Sequence, residues 1–329
     1  MPPSVQTPEV KKGLEGNFME TVRVSVIIPF SKPDVAETAL EKLMHQSYPA
    51  ELTEIILVGP GSSKLTTSGS IKAIETQPIY YPGEARNIGT RAAKGDYFLF
   101  LDDDCEPAAD WIEQCLRELE DPQIGAVGGQ IAGKSKKFFA QCIDFSSFAF
   151  SQVNKRMEVA VCSASLGVRR KAYEDALGFN EELRSGEDID FCYRLLKMGC
   201  RTVYQPAIKV LHNHRRTKFS TLMRYSYFYG RVKGLYVKLR HRDMSKRNQI
   251  LTMLHHPLAY LLMIIPISLG ITATIVRLNV REYPRVMLYA PFIFLSKVAY
   301  HVGIWQWILH GPQVQPSGRT SNEMDGKLV

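Results

Sequence analysis

Tyr97-Phe-Leu-Phe-Leu-Asp-Asp-Asp104 is the stretch that sets the fold class. Five apolar or aromatic residues form a short buried strand, and that strand runs straight into three acids. Acids at the end of a buried strand are costly unless a cation or a hydrogen-bond network neutralises them. Side chains alternate along an extended backbone, so Asp102 and Asp104 project to one side. Two carboxylates so placed can hold Mg2+ or Mn2+, and such a cation can bridge a diphosphate. A second use of the triplet is an acidic turn capping a helix that opens at Pro107 and reaches Glu120.

Towards the N-terminus the chain alternates in the same way. Val24–Ile28 reads as a strand ended by Pro29, and Asp34–Gln46 as a helix. Glu54–Val58 is a strand stopped by Gly59-Pro60-Gly61, Ser62–Glu75 a helix, Ile79–Tyr81 a short strand and Glu84–Ala93 a helix. Towards the C-terminus come a strand at Ile124–Val127 and an aromatic-rich stretch, Ile131–Val161, without clear period. A strand follows at Cys162–Val168, then helices at Arg170–Leu177 and Glu187–Met198, and a strand at Arg201–Tyr204. Near-continuous apolar strands alternating with helices predict an α/β fold with a mostly parallel sheet flanked by helices. Ligands in such folds bind beyond the carboxyl ends of the strands, where Asp102–Asp104 fall.

The chain has 329 residues, 45% hydrophobic and 22% charged, which excludes global disorder. Six scattered Cys without a CxxC exclude a disulfide scaffold and argue against structural zinc; they read as reduced thiols facing a cytosol. The net charge of +8 is concentrated: Lys209–Arg247 holds twelve Lys and Arg against one acid, Asp243. Pro257–Val276, free of Lys, Arg, Asp and Glu, follows it and is long enough to cross a bilayer as a helix. The basic block is therefore expected to face anionic lipid on the cytosolic side, and no nucleic acid is expected as partner. A second apolar segment, Val286–Leu309, is interrupted by Lys297 and His301, and the link before it carries Arg277, Arg281 and Arg285. An interfacial or re-entrant second segment, or two buried helices of a soluble domain, stay open here. Residues 1–22 lack an apolar targeting core and read as a flexible polar arm. The expected organisation is a catalytic domain over 23–218, a basic aromatic interfacial helix in 219–247, two hydrophobic membrane segments in 248–310 and a polar tail over 311–329. The expected location is a bacterial-type inner membrane, with the catalytic domain cytoplasmic.

Two further clusters carry chemistry. Glu187-Asp188 follows Gly186 and opens an apolar-periodic helix; the acids serve either as dipole partners or, for Asp188, as a general base toward a hydroxyl. His212 and His214 precede Arg215-Arg216, so one imidazole can complete a metal shell and the arginines can grip phosphate.

Taken in order, SVIIPF (Ser25–Phe30), PGEARNIGTRAAKGDYFLFLDDD (Pro82–Asp104) and SASLGVRRKAYEDALGFNEELRSGEDIDFCYRL (Ser163–Leu195), then VLHNHRRT and YFYGRVKG, resemble the family 2 glycosyltransferases of GT-A fold. The likeness covers Val24–Gly234 and is strongest to membrane-associated, non-processive members with C-terminal hydrophobic helices. It implies an inverting transfer of a sugar from a nucleotide-diphosphate donor to a hydroxyl acceptor, lipid- or glycan-linked, beside membrane lipids. It also implies a metal-binding pair, Asp102 and Asp104, with His212 the nearer histidine to a divalent cation (Mg2+ or Mn2+). Asp188 is implied as the base, and Pro29, Arg86, Asn87, Asp102 and Asp103 as donor contacts; Glu187, His214, Arg215 and Arg216 are secondary candidates. The chain departs from the family pattern at the turn after its second strand, Val58-Gly-Pro-Gly-Ser62, which lacks the usual Asp. Phe30-Ser31-Lys32 lacks an Asn, and Ser165 stands where Asn is frequent. The QxxRW signature of processive synthases is absent. Two other readings remain: a catalytically degenerate, membrane-bound relative acting as binding or partner subunit, and a nucleotide hydrolase whose P-loop is Gly128–Ser135, a literal GxxxxGKS.

Overall fold

The computed structural model describes residues 23–62, 69–77, 80–233, 240–241, 243 and 256–311. The expected arm 1–22, Ile79, most of the basic stretch after 233 and the tail after 311 lie outside the described residues.

Element order is β1 (Val24–Pro29), α1 (Pro33–Leu43), β2 (Thr53–Gly59), β3 (Ile71–Glu75), α2 (Pro82–Ala92), β4 (Tyr97–Leu101), β5 (Cys105–Pro107), α3 (Trp111–Leu119) and β6 (Ile124–Gly133). Then come α4 (Phe138–Ser147), β7 (Met157–Glu158), β8 (Ser165–Arg169), α5 (Arg170–Asp175), α6 (Glu187–Lys197), β9 (Arg201–His212) and α7 (Phe219–Lys233). Two long helices close the chain, α8 (Pro257–Asn279) and α9 (Val286–His310).

One sheet runs in the order β3-β2-β1-β4-β8-β6-β9-β5, with β7 also paired to β9. Pairings among β3, β2, β1 and β4 are parallel, as is β6 with β9; β8 is antiparallel to both its neighbours, and β5 and β7 to β9. The sheet is thus mixed, with β5, β7 and β8 running against the other strands. The half that is parallel is the half built from strand–helix repeats, where a crossover helix forces the next strand to run the same way.

The alternation of β1 and β4 splits the core. Val24, Val26, Ile28, Leu99 and Leu101 pack towards α1 and α3, with Trp111 fully buried among them. Ile27, Ile56, Phe98 and Phe100 face α2, α5 and α6 through Tyr173, Phe179 and Phe191. Both faces are covered, which is why these strands read as continuous apolar runs.

Several local expectations change. Of the helix expected over Ser62–Glu75, residues 63–68 lie outside the described residues, and Ile71–Glu75 forms a strand parallel to β2. Pro107 closes a short strand rather than opening a helix; among the described residues β5 pairs with β9 alone, so the missing amide proton costs nothing on its open side. The aromatic-rich stretch after Ile131 contains α4. The Gly-rich P-loop candidate is the far half of β6, paired with β9 through Gly133. A Cβ at Gly129 would overlap the Ile208 carbonyl, and one at Gly133 the Asp144 carboxylate. These glycines answer to packing, and Lys134 pairs with Glu106 at 2.5 Å. The nucleotide-hydrolase reading is therefore excluded.

The helices α8 and α9, 23 and 25 residues long, are long and apolar enough to cross a membrane. Lys297 and His301 are accommodated because both turn inward. Lys297 Nζ donates to the Ser146 carbonyl at 2.5 Å, and the buried His301 bonds the Tyr260 hydroxyl at 2.6 Å. Leu258, Leu262, Leu269 and Leu288 point outward. α9 lies against α7 so tightly that a Cβ at Gly303 would overlap the Tyr227 carbonyl.

Candidate active site

The acids gather at the carboxyl ends of β1 and β4. The register Cys105↔His212 between β5 and β9 draws the acidic turn against the end of β9, and the Asn213 amide donates to the Asp104 carbonyl at 2.7 Å. From the opposite side comes the N-terminus of α6. Gly186 precedes it at φ 87°, a left-handed turn that glycine adopts without strain. That turn aims Glu187 and Asp188 at the strand ends, where the helix dipole favours negative charge.

Arg86 joins the two groups. It is 2% exposed, and its guanidinium reaches Asp102 Oδ1 at 2.5 Å and Glu187 Oε1 at 2.8 Å. Burial opposes its charge, yet the pull of Asp102, Glu187 and Asp188 raises its pKa further above the usual value. Asp188 itself is buried; its Oδ2 accepts from the Ser163 amide at 3.2 Å. Asp102 and Glu187, 85 positions apart, thus share one cation.

Within the triplet the three acids differ. Asp102 is engaged by Arg86. Burial pushes Asp103 up to about 7, with Asp104 and Asp102 adding to it against the Ser31 amide, which donates to Asp103 Oδ2 at 3.3 Å. Burial also acts to raise Asp104, but the His212 hydrogen bond and charge outweigh it and hold the carboxyl below its usual range. His212 Nε2 lies 3.2 Å from Asp104 Oδ2.

Ligand atoms of Asp104, Cys105 and His212 all lie within 4.8 Å of one another. Carboxylate suits Mn2+ or Mg2+, and an imidazole beside it favours the transition metal; the buried His212 Nδ1 has no hydrogen-bond partner among the described residues. Cys105 is a poor ligand here: burial, then the neighbouring acids, push its thiol well above its usual pKa and keep it protonated. Asp102 stands apart from this group, on Arg86.

Other expected residues fall into place unevenly. Pro29 ends β1 beside the site. Asn87 does not face the acids: it donates to the Phe179 carbonyl at 2.9 Å and accepts from the Tyr173 hydroxyl at 2.5 Å. One residue along a helix is a turn of about 100°, so Arg86 and Asn87 look in different directions. His214 is buried on Asp144 at 2.9 Å and Arg215 is exposed. Arg216 stacks over Tyr225 at 4.3 Å, its field lowers Asp104, and its buried Nη1 has no hydrogen-bond partner among the described residues.

Sequence reading missed Glu75, Asp144 and Ser163. Glu75 closes the turn after β2, accepting from the Gly61 amide at 2.6 Å and the Ser62 hydroxyl at 3.0 Å. Its only signal was a place at the end of a strand read as helix.

A family-level comparison matches residues 25–176 to the description "Glycosyl transferase family 2". Those residues form a family 2 glycosyltransferase domain. Among similar proteins, the pre-mycofactocin glycosyltransferase of Mycobacterium tuberculosis is 30% identical over 235 residues, 68% of this chain and 49% of its own length. Glycosyltransferase AglE of Haloferax volcanii is 25% identical over 220 residues, 63% of this chain and 72% of its own. The chain therefore spans about half the length of the first of these relatives. A solved mannosyltransferase of Pyrobaculum calidifontis, in complex with GDP-Man and Mn2+, superimposes with a TM-score of 0.59 at 18% identity, over 88% of this chain and 87% of that one. At that identity the likeness is one of fold, GT-A. The glycosyltransferase domain accounts for the site's architecture: acids of its strand ends, with α6 and the end of β9 supplied from beyond residue 176.

Proposed function

We propose that this chain is an inverting glycosyltransferase that moves a sugar from a nucleotide-diphosphate donor to a hydroxyl acceptor, lipid-linked, at the cytosolic face of a membrane. The observation that carries the reading is the Arg86 bridge, which ties Asp102 at the end of β4 to Glu187 beside Asp188. It supports a single crevice in which one group of acids meets the donor and another meets the acceptor.

In this reading Asp188 takes the proton from the acceptor hydroxyl as the oxygen attacks the anomeric carbon, and the diphosphate leaves from the opposite face. A positioned carboxylate is one of the side chains that can serve as a general base. Asp104 and His212 would hold a divalent cation, Mn2+ or Mg2+, which offsets charge on the leaving diphosphate. The open Nη1 of Arg216 supports a phosphate contact beside it. The mannosyltransferase of similar fold, with its GDP-Man and Mn2+, supports the same assignment of donor and cation. Two long apolar helices preceded by a basic stretch support attachment to the membrane by its cytosolic side.

The test is turnover of a panel of nucleotide sugars with Mn2+ by the full-length protein in lipid nanodiscs. Release of nucleoside diphosphate from at least one donor, reduced about 10²–10⁴-fold by Asp188→Asn, is expected. No turnover of any donor would favour the partner-subunit reading.

A further inference from the structure

A cavity of about 630 Å³ opens beside Asp188, between the glycosyltransferase fold and the C-terminal helices. Its volume is that of a small-molecule site. One side, at the end of α4, sets Ser146, Ser147 and Ser151 among Phe148, Ala149 and Phe150, and Asp188 and Lys297 bring charge to it. The facing wall is α8, which contributes Ile267, Gly270, Ile271, Thr274 and Leu278. Their spacing of three and four residues puts them on one stripe of the helix. Tyr225 and Tyr229 of α7 stand between the two sides.

We propose that this cavity is the acceptor subsite, that it takes a hydroxyl-bearing amphiphile, and that Gly270 sets its width. The inference rests on Asp188 being the base. A polar head carrying the hydroxyl lies on the serine side beside Asp188, and an apolar body of several carbons lies along the α8 stripe. A sugar without an apolar body would leave that stripe uncovered, whereas an amphiphile matches both walls. Gly270 matters because it lines the cavity and nothing stands within 4 Å of where its Cβ would be. A larger side chain there meets no neighbour at its Cβ and is expected to narrow the cavity. Leu269, next along the helix, is 61% exposed on the outer face and provides the control.

The probe is a twelve-carbon primary alcohol carrying a diazirine near its hydroxyl end, photolysed with the full-length protein in lipid nanodiscs, with labelled peptides mapped by mass spectrometry. Labelling within 146–151 and 225–229 is expected, reduced at least fivefold by Gly270→Trp and by Gly270→Leu, and unchanged by Leu269→Trp. Asp188→Asn keeps the cavity and keeps the label. Labels confined to the outer faces of α8 and α9, or labelling of 146–151 indifferent to both Gly270 variants, would overturn the proposal. The readout is independent of turnover, so a wild type that binds the probe in the cavity yet consumes no nucleotide sugar would fail the enzymatic reading instead.

Discussion

Arg86 has two buried or half-buried acids as partners and a ring, Phe179, 5.7 Å away. Replacing it by Ala leaves Glu187 buried without its cation, a change that costs about 3–5 kcal/mol. Thermal unfolding of Arg86→Ala is expected to show that loss, with Arg86→Lys intermediate because an ammonium cannot fork between both carboxylates; a wild-type midpoint for both would contradict the bridge. Glu54 gives a pH test away from the site. It is 2% exposed and takes hydrogen bonds from Lys72 at 2.5 Å, Ser25 at 2.7 Å and the Lys94 amide. Burial alone would raise its pKa; these partners outweigh burial and lower it. A carboxyl lowered on folding stabilises the native state above its unfolded pKa, and that contribution fades as pH falls through the native value. Glu54→Gln should therefore be less stable than wild type by about 1–2 kcal/mol at pH 7, with the gap closing below about pH 4 in urea unfolding curves. At this scale the acids were legible from their position after an apolar strand. The direction of Asn87 was not, because a helix face is decided by what packs on it, here Tyr173 and Phe179.

Elements carry two further expectations. β6 is a strand through Gly133, so Lys134 is a surface partner of Glu106 and not a phosphate ligand. Its side chain is 48% exposed, and such a pair contributes less than about 1 kcal/mol. Lys134→Ala should leave nucleotide-sugar turnover and thermal midpoint close to wild type, and loss of turnover would reopen the P-loop reading. The α7–α9 contact is less tolerant. Gly303→Leu forces side-chain volume into the Tyr227 carbonyl and should cost about 1–3 kcal/mol, visible as faster proteolysis of α9. An unchanged digestion rate would show that the helices do not pack as described. Most elements could be read from period and length. β3 could not, because an edge strand patterned Ile-Lys-Ala-Ile-Glu offers neither alternation nor a long apolar run. β5 was hidden for a related reason: three residues that pair only with a strand a hundred positions later have no local signature.

Across the whole molecule, the outward-facing leucines of α8 and α9 would be an aggregation hazard in water and are at home in lipid. The protein is expected to stay with membranes through high-salt and alkaline carbonate washes and to leave only with detergent; release by salt alone would mean that it is held by its basic segment rather than by α8 and α9. Lys297 and His301 argued against a second span while only the sequence was in view. Their inward partners, Ser146 and Tyr260, lie 151 and 41 residues away, a distance no local pattern encodes. The convergence of the β4 acids with α6 belongs to the same class: motif order suggested it, and only the folded chain shows the guanidinium that joins them. The most direct test of that convergence as a donor site is calorimetric titration of GDP and UDP, with and without Mn2+, into wild type, Asp104→Asn and Asp188→Asn. At least one nucleotide should bind wild type and Asp188→Asn alike, and Asp104→Asn at least tenfold more weakly in Mn2+. Equal binding by wild type and Asp104→Asn, or none by wild type, would contradict it.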